Sequence, residues 1–302
     1  MPAPDLSERI RDFHPLEARV TITLWVTSLA LSLMDFGGAQ FDFLVPSAKN
    51  WPGTIGALFT ACLLHGDGLH LFFNLVMTWR LGVIAEGLIG SAGLGFFVVL
   101  CGFGSGAIQW AFSGPYVGLS GIVYGIFGLL WALDRWHPQS KGFLNPGATR
   151  LMVGWFFFCI LLTQAEIWRV ANLVHGFGAL LGVIFGWSLS KRADQRGWRW
   201  FAFPGATLVC VLIPLLTTPK PIKLDRAWSA LGKGNQALES DQPQAAEAHF
   251  REALEHYDLP GAHWNLSIAL RHLGRAQEAA REQDLALEMD PSLDRLSNQQ
   301  EQ

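Results

Sequence analysis

The sequence predicts an all-α protein, a polytopic bundle of membrane helices with a small helical repeat tail. Two observations carry this prediction. Half of the residues are hydrophobic and only 16% are charged, against about a quarter charged in an average soluble domain. The bias is also uneven: residues 20–218 hold nearly all the long apolar runs, whereas 220–302 are rich in Ala, Glu, Gln and Arg. A net charge of −3 is too small for electrostatic capture of nucleic acid, so no nucleic-acid partner is expected.

Residues 1–19 mix acids and bases without an apolar core. They read as a cytoplasmic N-terminal segment rather than a cleaved signal peptide, the first span serving as signal-anchor. About 20 apolar residues cross a bilayer as a helix. That length divides the body at roughly 20–35, 69–88, 91–112, 118–134, 149–165, 170–190 and 200–218. The stretch 39–68, interrupted by Asp42, Pro46, Lys49, Pro52 and Gly53, is an unusually long connection instead, and such loops are often functional. Arg9, Arg11 and Arg19 precede the first span, Arg135, Lys141 and Arg150 separate the fourth from the fifth, and Lys191, Arg192, Arg196 and Arg199 follow the sixth. The connections on the other side hold only Lys49 and Arg169. Positive charge stays inside, so the N-terminus is cytoplasmic and spans two, four and six run inward. Arg80, deep in span two, is read as snorkelling inward or pairing with a polar neighbour, with no catalytic role. Cys62, Cys101, Cys159 and Cys210 lie in apolar segments without CxxC spacing, which suits buried fillers better than disulfides or a zinc site.

The run 200–218 carries no charge, and its Pro204 and Pro214 are tolerated in a span. As a seventh transmembrane helix, the preferred reading, it places the C-terminus outside; lying on the membrane, it would leave the tail cytoplasmic. In the tail, 222–302, Ala246 and Ala253 recur 33 residues later as Ala279 and Ala286, and Leu254 as Leu287. With Trp264, Leu270, Gly274 and Pro291 this resembles the tetratricopeptide pattern, whose period is about 34. The resemblance implies a protein-binding clamp; the alternative is a plain helical hairpin spacer. Two copies are fewer than repeat arrays usually need to stand alone, so the tail leans on the membrane body, dimerises or takes a protein partner.

Three polar sites interrupt the apolar spans. Ser120 lies in Gly118-Leu119-Ser120-Gly121-Ile122-Val123-Tyr124-Gly125, inside the expected fourth helix, and His175 in Ala171-Asn172-Leu173-Val174-His175-Gly176-Phe177-Gly178. His70 and Asn74 open span two in His65-Gly66-Asp67-Gly68-Leu69-His70-Leu71-Phe72-Phe73-Asn74. Ionisable residues in spans mark functional sites by default. With three spans running inward, His70, Ser120 and His175 share a depth within roughly 10 Å of the outer surface. Gly178, Gly182 and Gly186 on one helix and Gly121 and Gly125 on the other, with Gly118 and Gly128 nearby, form small-residue stripes that let two helices approach closely. His70 and Asn74, four apart, share one face. A serine needs a neighbouring base to attack a carbonyl, and histidine is the usual one. An Asn amide, a His N–H and backbone N–H groups are accepted oxyanion donors. No carboxylate flanks His175, so the pattern reads as a Ser–His dyad, with the histidine oriented by packing on Tyr124. A metal centre built from His65, His70 and His175 is disfavoured, because no HExxH spacing or nearby carboxylate accompanies them. A transporter would place such groups at the midplane.

These residues resemble the rhomboid intramembrane serine proteases over about 20–190. Gly118-Leu119-Ser120-Gly121 is similar to the family's GxSG, and His70 to Asn74 to its HxxxN, with His65 upstream at the family spacing. His175-Gly176-Phe177-Gly178 followed by Gly182 resembles its HxxG motif, and Leu81, Gly82 and Glu86 its second-helix end. The resemblance implies Ser120 as nucleophile, His175 as general base and then acid, and His70, Asn74 and the Ser120 N–H as oxyanion donors. It implies substrate binding near Gly118, Tyr124 and Asn172, with His65, Gly178 and Gly182 structural beside the site. It further implies cleavage of transmembrane protein substrates near the outer face of a bacterial inner or cell membrane, in the lipid bilayer, with no metal or cofactor. One departure stands out: where many members carry Trp-Arg in the first loop, this chain has Gly56-Ala57, and Trp51 is the expected anchor. The alternative class is a catalytically inactive relative that binds membrane clients as a scaffold.

Overall fold

The computed structural model describes residues 13–49, 51–137, 140–168, 170–190 and 197–293. Arg9, Arg11, Arg169, Lys191, Arg192 and Arg196, which enter the orientation argument, lie outside the described residues. Those described form helices and turns and no strand. The long helices are α1 (Arg19–Phe36), α2 (Gly68–Phe112), α3 (Ser120–Trp136), α4 (Pro146–Gln164), α5 (Asn172–Leu189), α6 (Ala202–Leu216), α7 (Lys220–Glu239), α8 (Pro243–His256), α9 (Pro260–His272) and α10 (Ala276–Met289). The chain divides into two compact units, Met1–Pro219 and Lys220–Gln302.

The first unit is a membrane bundle. Among the described residues, five helical stretches are long and apolar enough to cross a bilayer, those built on α1, α2, α4, α5 and α6. α3 is one residue short of that length, at 17 residues, and is buried along most of its course. Large apolar side chains stand exposed on the outer helices, among them Val26, Phe72, Phe157, Leu161, Leu180 and Val209. In water such a surface would drive aggregation; in lipid it is the ordinary outer face of a span. The protein is an all-α, multi-pass membrane protein.

Spans two and three, expected as separate helices, form one helical stretch broken at a single residue. Gly90 has φ 76° and ψ 163°, a backbone region essentially restricted to glycine. Asp67 and Ser113, at the two ends of α2, line the same cavity. Leu88, Ile89 and Gly93, at its middle, line a second cavity of about 400 Å³. Gly90 therefore reverses the chain. Beside that corner sits Glu86, fully buried. Its carboxylate accepts the Val20 N–H at 2.9 Å, the Thr21 N–H at 2.9 Å and the Thr21 hydroxyl at 2.8 Å, and the Ser91 hydroxyl at 2.6 Å. The first of these donors are otherwise unpaired N–H groups of the opening turn of α1. A negative group there also suits the helix dipole. Ala18, the residue at that helix's N-cap position, has no side chain able to do so.

α3 and α5 pack backbone to backbone. A Cβ on Gly178 would strike the Gly121 carbonyl, one on Gly182 the Gly125 carbonyl, and one on Gly128 the Ala179 carbonyl. The glycine stripes are thus a close helix contact. The fourth span starts later than the expected 118–134. Gly118, at φ +111°, cannot continue a right-handed helix, so Ser120 is the first residue of α3 instead of lying inside it.

α6 runs the depth of the unit. Near its start Phe203 packs on Phe97 at 5.4 Å and Phe185 at 4.7 Å between ring centroids. Near its end the Trp51 indole N–H donates to the Pro214 carbonyl at 3.2 Å, and Trp51 packs on Trp110 at 5.7 Å. Trp51 thus ties the long first connection to α6 and to the second arm of α2.

The second unit holds α7 to α10, joined by connections of three residues, short enough that successive helices lie side by side in opposite directions. Ala246, Phe250 and Ala253 of α8 and Ala279 and Ala286 of α10 are buried. Gly234 of α7 makes room for the Phe250 ring, and Gly274, at φ +75°, ends α9. Arg275 bonds Glu247 at 2.7 Å and also pairs with Glu278.

Candidate active site

A cavity of about 810 Å³ opens at one end of the membrane unit. Its wall includes His70, Asn74, Ser120, Tyr124, Asn172 and His175. Each is delivered by a helix start. Asp67 caps α2, its carboxylate accepting the His70 N–H at 2.8 Å, a stable way to begin a helix. That places His70 in the first turn of α2 and Asn74 one turn on. Ser120 opens α3, and His175 lies in the first turn of α5.

The close α3–α5 contact puts Ser120 Oγ 2.8 Å from His175 Nε2. Tyr124 stacks on the imidazole, with centroids 4.7 Å apart and planes at 27°, while its hydroxyl donates to the Met152 carbonyl at 3.0 Å. The ring face and the Ser120 hydroxyl together fix the plane of the histidine. His175 Nδ1 has no hydrogen-bond partner among the described residues, so no acidic third member stands behind it. With Nε2 free to accept, the arrangement allows a serine proton to pass directly to the ring.

The second group of polar atoms gathers at Gly118. A Cβ on that residue would lie 2.7 Å from His70 Nε2 and 3.7 Å from Asn74 Nδ2. Only a glycine lets the chain before Ser120 pass so close to the imidazole. One Asn74 N–H goes to the His70 carbonyl at 3.0 Å, which fixes the amide and leaves its second N–H available. His65 stands behind this group: its Nε2 accepts the Leu119 N–H at 3.4 Å and its Nδ1 pairs with the Ser32 hydroxyl at 3.1 Å. It also packs edge-on to His70, with centroids 5.0 Å apart. It is therefore a brace between α1 and the turn before Ser120, whereas the capping of α2 belongs to Asp67. Gly178 and Gly182 lie in the helix contact itself.

The GxSG, HxxxN and HxxG segments thus meet around one cavity, at the ends of three helices. A family profile described as the rhomboid domain matches residues 52–192. That stretch is similar to rhomboid domains. Over 144 residues the chain is 31% identical to the rhomboid protease GlpG of Enterobacter sp. (strain 638), covering 46% of this chain and 50% of that one. The chain therefore spans about half the length of the curated relative it matches. The rhomboid-like segment contains His70, Asn74, Ser120, Tyr124, Asn172 and His175 of the cavity wall, together with Glu86 and the glycine stripes.

Other residues of the cavity escape sequence patterning. Gln109 lines it and keeps a buried Oε1 without a partner among the described residues; its one signal is a lone amide inside an apolar run. Thr163, also in the wall, joins α4 to the start of α5. A threonine in a membrane helix gives no such signal, because its hydroxyl ordinarily bonds its own helix.

Proposed function

We propose that this protein is an intramembrane serine endopeptidase of the rhomboid type, cleaving transmembrane protein substrates near the outer membrane face. The observation that carries the reading is the 2.8 Å approach of Ser120 Oγ to His175 Nε2, at the mouth of a cavity lined by apolar residues and a few donors. In this mechanism the Ser120 proton passes to Nε2 as Oγ bonds to the scissile carbonyl carbon. The oxyanion is held by the His70 Nε2–H, the free Asn74 N–H and the Ser120 backbone N–H, groups of the kind that stabilise developing negative charge. Collapse of the intermediate breaks the C–N bond, and the leaving amine takes the proton from Nε2. Water then repeats the sequence on the acyl-enzyme. Tyr124 holds the ring plane throughout.

The orientation follows from basic residues at the far end of the bundle: the N-terminus is cytoplasmic and the Ser120 end faces outward. Leu216 would then also emerge on the outer side. An introduced cysteine at residue 220 that reacts with an impermeant thiol reagent only from the cytoplasmic side would contradict this. The tail is read as a tetratricopeptide-like protein-binding module, since its 33-residue recurrence falls on buried alanines of α8 and α10. A crosslinked partner set unchanged by deletion of 222–302 would remove that reading.

The test of the enzyme is labelling of the detergent-solubilised protein by a fluorophosphonate probe. The wild type is expected to label, and Ser120→Ala and His175→Ala are expected to lose labelling while remaining folded. A folded wild type that neither labels nor cleaves a transmembrane model substrate would replace the protease by a client-binding scaffold.

A further inference from the structure

Thr163 sits in the last turn of α4, and its hydroxyl is saturated. It donates to the Cys159 carbonyl at 2.9 Å. Its oxygen accepts the Val170 N–H at 3.3 Å and the Asn172 side-chain N–H at 2.8 Å. One side chain thereby joins α4, the connection 165–171 and the first residue of α5, three positions before His175. The direction of these bonds decides how Asn172 lies. A hydroxyl has one proton, and that of Thr163 is committed to Cys159, so only the NH₂ end of the Asn172 amide can face it. The opposite end, Oδ1, is then fixed as an acceptor. It is buried and, among the described residues, has no partner, in a residue that lines the cavity beside Ser120 and His175. An unpaired buried carbonyl is unfavourable, and an occupant of the cavity that donates a hydrogen bond relieves it. An extended peptide carries such a donor at every residue but proline.

We propose that Thr163 is a positioning residue for substrate: it orients Asn172 so that Oδ1 accepts a backbone N–H of a peptide segment bound in the cavity. The inference rests on the protease reading above. It separates binding from chemistry, because neither Thr163 nor Asn172 touches the Ser120–His175 pair through a hydrogen bond. The isosteric Thr163→Val keeps shape and volume but cannot accept from the amide, which leaves Asn172 free to rotate.

The experiment uses the full chain with a transmembrane model substrate and the fluorophosphonate probe in parallel. Thr163→Val is expected to raise KM about tenfold, the usual scale for one lost hydrogen bond to a ligand, with kcat and probe labelling within about twofold of wild type. Thr163→Ser, which retains the hydroxyl, is expected to restore KM. Asn172→Ala is expected to match Thr163→Val, and the double variant to be no worse than either, since the two act through one contact. An unchanged KM in Thr163→Val, additive losses in the double variant, or a serine variant that fails to restore KM would each overturn the proposal while leaving a labelled, active enzyme. A wild type that neither labels nor cleaves would overturn the protease reading and this one with it.

Discussion

Gly118 shows how tightly the site is fitted around single residues. Its φ of +111° is unfavourable for any side chain, and a methyl group there would press on His70. Gly118→Ala is therefore expected to strain the turn by about 1–3 kcal/mol and to displace His70, the imidazole proposed as an oxyanion donor. Loss of such a donor typically lowers kcat on the order of 100-fold or more. Steady-state cleavage of a model substrate checks this, with thermal unfolding to show that the fold persists; an active alanine variant would contradict the placement of His70. The residues that do chemistry in this reading are those with the clearest sequence signal, because polar groups in apolar spans are costly and stand out. Asp67, Thr163 and Gln109 do not stand out. A helix cap, a threonine bonded to its own helix and a single amide each have commonplace explanations, and only the cavity brings them together.

Among the elements, α1 depends most visibly on one distant side chain. Its opening N–H groups end on Glu86, which also takes the Thr21 and Ser91 hydroxyls. Glu86→Gln replaces one acceptor oxygen by a donor facing donors. The expected loss is about 1–3 kcal/mol, the cost of leaving buried hydrogen-bonding groups unmatched, read as a lower midpoint of unfolding in mixed micelles; an unchanged midpoint would show that α1 does not need this cap. Each of the long described helices of the membrane unit, α1 to α6, overlaps a segment expected from apolar length alone, while the single helical turn Ala57–Thr60 falls in the expected connection. The turns between helices were not legible in this way. A corner made by one glycine looks, in sequence, like any gap between spans, and the later start of α3 depends on the φ of Gly118, which composition does not encode. The Trp51 contact with Pro214 joins positions 163 residues apart, and no periodicity links them.

At the scale of the whole molecule, the two units rest on different forces and should respond differently to acid. The membrane unit is held by apolar packing and close helix contacts, and the tail also by an ion network. Burial alone would raise the Glu247 carboxyl, but hydrogen bonds from Arg251 and Arg275 outweigh it and hold the group below its ordinary value of 4.5. A carboxyl whose folded value is depressed adds stability above its unfolded value and loses it as pH falls through the folded one. Protection of α8 amides against hydrogen exchange in the full-length protein, corrected for the intrinsic pH dependence, is therefore expected to be steady above about pH 5 and to weaken below it. The weakening should be smaller in Glu247→Gln, and equal pH profiles in the two proteins would exclude this carboxyl as the source. The reversal at Gly90 carries a consequence of another kind, for biogenesis. Its two arms meet at one residue with no linker between them, so they are neighbours in the bilayer as soon as both are in it. In the proposed orientation the 45 residues of Gly68–Phe112 would integrate as one hairpin turned at the cytoplasmic side, so that His70 and Asn74 reach the outer side together with the end of the arm on which α6 packs.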